Sequence, residues 1–182
     1  MMHMGVLLAA GASTRFGVDD KLLALWKGRP LVTWAAQALS DAGCGLVISV
    51  TTSPAVAALL PAGMARRWIA PGLPMSASLR LALREARDRK VKGLLVCLGD
   101  MPNVTPDLLG RLMAAGESAA CVYDRRRMPP AFIAAGDFDR ILSLPDGDFG
   151  AREVIAGLPP DRLVPIGADA AHDVDRPGDV QG

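Results

Sequence analysis

A doubly wound α/β sheet with helices on both faces is the fold that this 182-residue sequence predicts. Three observations carry the expectation. Short unbroken apolar runs recur at 5–10 (GVLLAA), 45–50 (GLVISV) and 93–99 (GLLVCLG), as suits strands buried on both faces of a parallel sheet. Segments of helical period lie between them. The composition is aliphatic, 51% apolar with only 4% aromatic, so the layers should meet through Ala, Val, Leu and Ile rather than through rings. The length suits one domain over residues 1–182.

Taken in order, 5–10 is the first strand, and 31–41 is a helix that starts after Pro30 and stops before Gly43. A second strand at 45–50 leads to a short helix at 54–60. Residues 76–90 place Leu79, Leu83 and Ala86 on one stripe and Arg80, Arg84 and Arg87 around the other. After the third strand at 93–99, Thr105 supplies an N-cap and Pro106 the first helical position for 105–115. Residues 118–123 (SAACVY) add a fourth strand. In the less regular last third, 125–130 reads as an exposed loop and 130–134 (PAFIA) as an antiparallel return that makes the sheet mixed. Helices are expected at 137–144 and 149–156, and short strands at 162–166 (RLVPI) and 172–175 (HDVD).

Lysine and arginine total 20 against 19 aspartate and glutamate, a formal net charge of +1, so bulk charge argues for neither a nucleic-acid nor a membrane partner. The run Arg125, Arg126, Arg127 lacks the interleaved aromatics of a nucleic-acid groove. Cys44, Cys97 and Cys121 are odd in number and form no CxxC pair, which fits buried free thiols of a cytoplasmic protein. Residues 1–10 lack the charged start of a signal peptide, and no apolar run approaches the roughly 18 residues of a membrane span.

Ligands of open α/β sheets bind beyond the carboxyl ends of the strands, and the loop 11–20 leaves the first of these. Gly11 lets the chain turn, while small Ala12, Ser13 and Thr14 leave amide N–H groups free to face an anion. Arg15 adds a forked cation and Lys21 a point charge. A polyphosphate suits this chemistry. The segment is neither a P-loop, because Gly11 to Gly17 is one residue too long and no lysine follows Gly17, nor a GxGxxG dinucleotide loop. Asp100, just past the third apolar run, would face the ligand edge, where a carboxylate suits Mg²⁺ bridging phosphates; the alternative is that it caps the turn before Pro102. Leu8, Ala9 and Ala10 can offer backbone groups beside a base, and Gly72 and Ser78 can face its polar edge. The alternative there is that Ser76 caps the 76–90 helix and Ser78 merely lies in its first turn.

The string LAAGASTRFGVDDKLL resembles the signature loop of nucleotidyltransferases with a GT-A-like, Rossmann-type fold. Within them the chain looks most like the MobA/MocA-type enzymes, especially molybdenum cofactor cytidylyltransferases. GLPMSASLRLAL, LGDMPNVTPDLL, GDFGAR and DVDRPGD follow in the family's order. The resemblance implies a three-layer α/β/α nucleotidyltransferase that uses Mg²⁺ to transfer CMP from CTP to a phosphorylated acceptor, most plausibly molybdopterin, and releases pyrophosphate. It gives Arg15 to the β- and γ-phosphates, Lys21 to the α-phosphate, Asp100 to the metal and Ser78 to the base. Asp175 matches the aspartate before the family's T-P-E-D, which makes it the candidate second metal ligand, with Asp173 nearby. Here Arg176 and Gly178 replace the threonine and the glutamate. His172 is expected at the surface or behind the metal ligands rather than on the metal, since Mg²⁺ prefers oxygen. Asp148, Gly150, Ala151 and Arg152 keep the late turn, and with Arg125 to Arg127 they could form a rim for the acceptor phosphate. A GTP-dependent or sugar-phosphate enzyme, and a non-catalytic accessory protein for a molybdoenzyme, are the alternatives.

Overall fold

The computed structural model describes residues 2–11, 20–144, 151–175 and 177–180. Among the described residues, seven strands form one mixed, mostly parallel sheet: β1 (Met4–Ala9), β4 (Leu46–Thr51), β5 (Ala65–Trp68), β6 (Gly93–Leu98), β7 (Ala119–Tyr123), β8 (Arg126–Ala134) and β9 (Leu163–Pro165), in the order β5-β4-β1-β6-β8-β7-β9. Only β8 runs against its neighbours β6 and β7. A small hairpin, β2 (Leu25–Trp26) with β3 (Arg29–Pro30), stands apart from the sheet. Lys27 and Gly28 turn it with φ of 47° and 77°, as a two-residue hairpin loop requires.

Alternation along β1 sends Leu7 and Ala9 to one core and Met4, Val6 and Leu8 to the other. Helices α1 (Leu31–Ser40), α2 (Pro54–Leu59) and α4 (Pro106–Ala114) cover the first face through residues such as Val32, Leu39, Val56 and Leu109. The second face is covered by α3 (Met75–Asp88), α5 (Phe138–Leu142) and α6 (Ala151–Ala156). In α3 the buried positions Leu79, Ala82, Leu83 and Ala86 form the expected stripe. Thr105 does cap α4, its side chain accepting from the Leu108 N–H at 3.3 Å. All three cysteines are free; burial pushes the Cys44 thiol up to about 11 and Cys121 to about 12, so neither is a ready nucleophile.

Four sequence expectations change. Residues 126–129 are the start of β8 rather than loop; the turn is only Asp124 and Arg125, with φ of 44° and 61°. Residues 172–175 form no strand. Ser76 does not cap α3, because Pro74 precedes the helix with no side-chain cap and both Ser76 and Ser78 are buried within it. The strand β5 was not expected at all. Its two arginines hid it, and both are structural cations.

Arg66 folds back onto the carbonyl groups at the end of α2, donating to Ala57, Leu60 at 2.8 Å, Pro61 at 3.1 Å and Met64. Ala57 and Leu60 lie at the C-terminal end of α2 and Pro61 and Met64 in the turn after it, where a guanidinium meets several carbonyls at once. Arg66→Ala is expected to cost about 2 kcal/mol in urea unfolding, and an unchanged midpoint would refute the cap. Arg67 grips Glu85 on α3 through a fork of 2.7 and 2.6 Å, and Arg89 adds a third bond of 2.9 Å. The Arg67 hydrogen bonds, more than offsetting burial, hold the Glu85 carboxyl below the usual range. A depressed carboxyl pKa stabilises the fold above the unfolded value of about 4.3, and that contribution is lost as pH falls through the lower folded value. Glu85→Gln should therefore flatten the acid limb of Tm against pH; parallel curves for the two proteins would argue against it.

Candidate active site

Three elements converge at the carboxyl edge of the sheet. Just after the loop that leaves β1, Asp20 caps the 3-10 turn Lys21–Leu23, its Oδ1 accepting from the Leu22 N–H at 3.0 Å, which fixes where Lys21 starts. Asp100 follows β6, the parallel neighbour of β1. The segment 173–175 comes from far along the chain and is laced to the second element by the Val174 N–H, which donates to the Asp100 carbonyl at 3.0 Å.

Lys21 joins them. Its Nζ donates to Asp100 Oδ2 at 2.6 Å and to the Val174 carbonyl at 3.1 Å, and lies 3.5 Å from Asp175 Oδ1. Burial alone would lower the lysine pKa. The Asp100 charge and hydrogen bond, with Asp175 behind them, outweigh it and raise the value above that of an ordinary lysine. The ammonium is thus charged at neutral pH.

Asp100 Oδ1 is buried and, among the described residues, has no hydrogen-bond partner. A buried carboxylate oxygen of this kind is costly unless something cationic or protic meets it. Its donor chemistry, a hard oxygen with a second carboxylate nearby, fits Mg²⁺, which is usually held by one or two carboxylates and completed by water and substrate phosphate. Asp175, with its side chain 45% exposed, is that second carboxylate. Asp173 turns the other way, to Arg126 at 4.0 Å. His172 stacks on Trp26 at a centroid distance of 5.2 Å, beside the candidate ligands rather than among them.

Of the other expected site residues, Leu8 and Ala9 are buried in β1, and the Leu8 carbonyl accepts from the Gly99 N–H at 3.1 Å. Ala10 is half-buried and Gly11 exposed at the mouth. Gly72, with φ of 81°, turns the loop that enters α3; Ser78 is buried in the first turns of that helix. Arg127 donates to the Ile155 carbonyl at 3.3 Å and to that of Ala156, so it closes the end of α6 instead of facing an acceptor. Ala12, Ser13, Arg15 and Gly17, with Asp148 and Gly150, lie outside the described residues, and Ala151 and Arg152 open α6. Sequence reasoning missed Asp20, Val174 and Asp179. The Asp20 signal was present as an aspartate just ahead of a turn, whereas Val174 acts through its backbone and left no mark in side-chain type.

The mixed, mostly parallel sheet with helices on both faces is the fold of the GT-A-like nucleotidyltransferases, and the protein is an enzyme of that class. The chain belongs to the MobA-like NTP transferase domain family, whose model matches residues 5–163. It is 30% identical to nicotine blue oxidoreductase of Paenarthrobacter nicotinovorans over 85% of this chain and 82% of that one. It is 38% identical to the molybdenum cofactor guanylyltransferase of Cereibacter sphaeroides over 68% of this chain, and spans 63% of that relative's length. The manganese complex of Rv0371c from Mycobacterium tuberculosis superposes with a TM-score of 0.80 at 26% identity, covering 98% of this chain and 96% of that one. Among the described residues no helix is long and apolar enough to cross a membrane.

Proposed function

We propose that the protein transfers a nucleoside monophosphate from a nucleoside triphosphate to a phosphorylated acceptor, molybdopterin, with Mg²⁺ as cofactor and release of pyrophosphate. The observation that supports this most is the meeting of Lys21, Asp100 and Asp175 at one point on the ligand edge. An acceptor phosphate oxygen attacks the α-phosphorus, and the bond from that phosphorus to the bridging oxygen of the β-phosphate breaks. The protein's task is to align two anions and to stabilise charge that grows on the α-phosphoryl oxygens. Lys21 is suited to the second part, because its ammonium is held by fixed acceptors before substrate arrives. Asp100 and Asp175 would hold Mg²⁺, which when bound neutralises charge on the phosphate chain. Gly11 and the loop after it, with Arg15, are assigned to the triphosphate. Gly72 and Ser78, with residues Leu8 to Ala10, are assigned to the base. A reaction that consumes a nucleoside triphosphate suits the cytoplasm.

The relative named guanylyltransferase favours GTP as donor over the CTP suggested by the sequence resemblance. Pyrophosphate release is to be followed with GTP, CTP, ATP and UTP, each with molybdopterin and with or without Mg²⁺. Release that depends on the metal and prefers one base is expected; no release from any of the four would overturn the proposal. The relative named nicotine blue oxidoreductase motivates a second reading, a redox enzyme on this scaffold, which predicts that null result. An accessory protein for a molybdoenzyme would instead bind nucleotide, seen as a rise in Tm, without turnover.

A further inference from the structure

We propose that Asp179 is a positioning residue that sets the Asp175 carboxylate for a divalent cation. The inference rests on the reading of Asp175 as a cation ligand. The Asp175 side chain is half exposed, and its Oδ1 lies 3.5 Å from Lys21 Nζ. The backbone that carries this carboxylate is held on both sides. On one side that backbone is fixed by Val174, whose N–H donates to Asp100 and whose fully buried side chain packs with Trp26 and Leu31. On the other side it is fixed by Asp179, whose Oδ2 accepts from the Asp175 N–H at 2.9 Å.

The 3-10 turn Pro177–Val180 carries Asp179 back to that amide. Residues 173 to 175 then point three ways in succession: Asp173 to Arg126, Val174 into the core and Asp175 to Lys21. Free rotation of the 175 peptide would lose the last of these. The bond also explains how DVDRPGD can depart from T-P-E-D and still support a site. The altered positions are Arg176 and Gly178, whereas the residue that makes the bond, Asp179, is retained.

The test uses Mn²⁺ alone, with binding to the full chain read by electron paramagnetic resonance and the Asp175 amide followed by hydrogen exchange. Asp179→Ala is expected to weaken Mn²⁺ binding at least tenfold and to speed exchange at that amide. Asp179→Asn, which keeps an acceptor oxygen, should bind within about threefold of the parent. In an Asp175→Asn background, Asp179→Ala should have little further effect, as expected when one residue acts through another. Parent-like Mn²⁺ binding by Asp179→Ala would overturn the inference. So would an asparagine variant as weak as the alanine one, since Asp179 would then be contributing its own charge. A parent protein that takes up no Mn²⁺ would bring down the metal reading and this inference with it, whereas a failure confined to the Asp179 variants would leave that reading standing.

Discussion

Asp100→Asn is expected to lower the rate of pyrophosphate release by on the order of 10²- to 10³-fold, the scale on which preorganised electrostatic groups act. The substitution is nearly isosteric. It leaves the Asp100 carbonyl free to accept from the Val174 N–H, so the laced segment should persist. What it removes is the charge that faces Lys21 at 2.6 Å and the buried Oδ1 that can meet a cation. An amide also turns one donor toward an ammonium or a metal, which neither accepts. A fall of less than tenfold, or about 1.4 kcal/mol in barrier, would sink the assignment of Asp100 to the metal.

Lys21→Met has the second large effect, on stability as well as on turnover. It leaves Asp100 and Asp175 together with no ammonium between them. Breaking one partner of a pair this enclosed costs roughly 3 kcal/mol, at the low end for buried pairs because Asp175 is half exposed. Mg²⁺ should then raise Tm more in the variant than in the parent, since the ion relieves a repulsion that lysine relieves in the parent. Turnover should fall by at least a hundredfold. The sign of the pH dependence is fixed too. A raised lysine pKa means that the contribution is fully present below the unfolded value of about 10.4 and is lost as pH rises through the folded one, so the difference between parent and variant should be flat near neutrality. An Mg²⁺ response equal in the two proteins would contradict the placement of Lys21 between the carboxylates.

Much of the architecture was legible because burial on both faces writes itself as unbroken apolar runs. β1, β4 and β6 are such runs, and the helices between them carry a period and, at Thr105, a cap. The reading failed where polar side chains do structural work. Arg66 and Arg67 made β5 look like surface, although one closes α2 and the other pins Glu85. Arg126 and Arg127 disguised the start of β8 in the same way. Lys21, Asp100 and Asp175 were all named from the sequence, and the structure brings them together. What fixes them was not legible, since the Asp100 to Val174 bond joins two backbones and the Asp179 bond ends on an amide. Side-chain type carries no record of the first bond and, of the second, shows only the acceptor Asp179 and not the amide it meets.

Lys21 and Asp175 stand 154 positions apart, so at ribosomal rates of about 5 to 20 residues per second they are synthesised roughly 8 to 30 s apart. β1 to β8 and most of both cores precede Asp175 on the nascent chain. The meeting of Lys21 with Asp175 therefore waits on a segment synthesised well after the strands that carry the other two elements of the cluster.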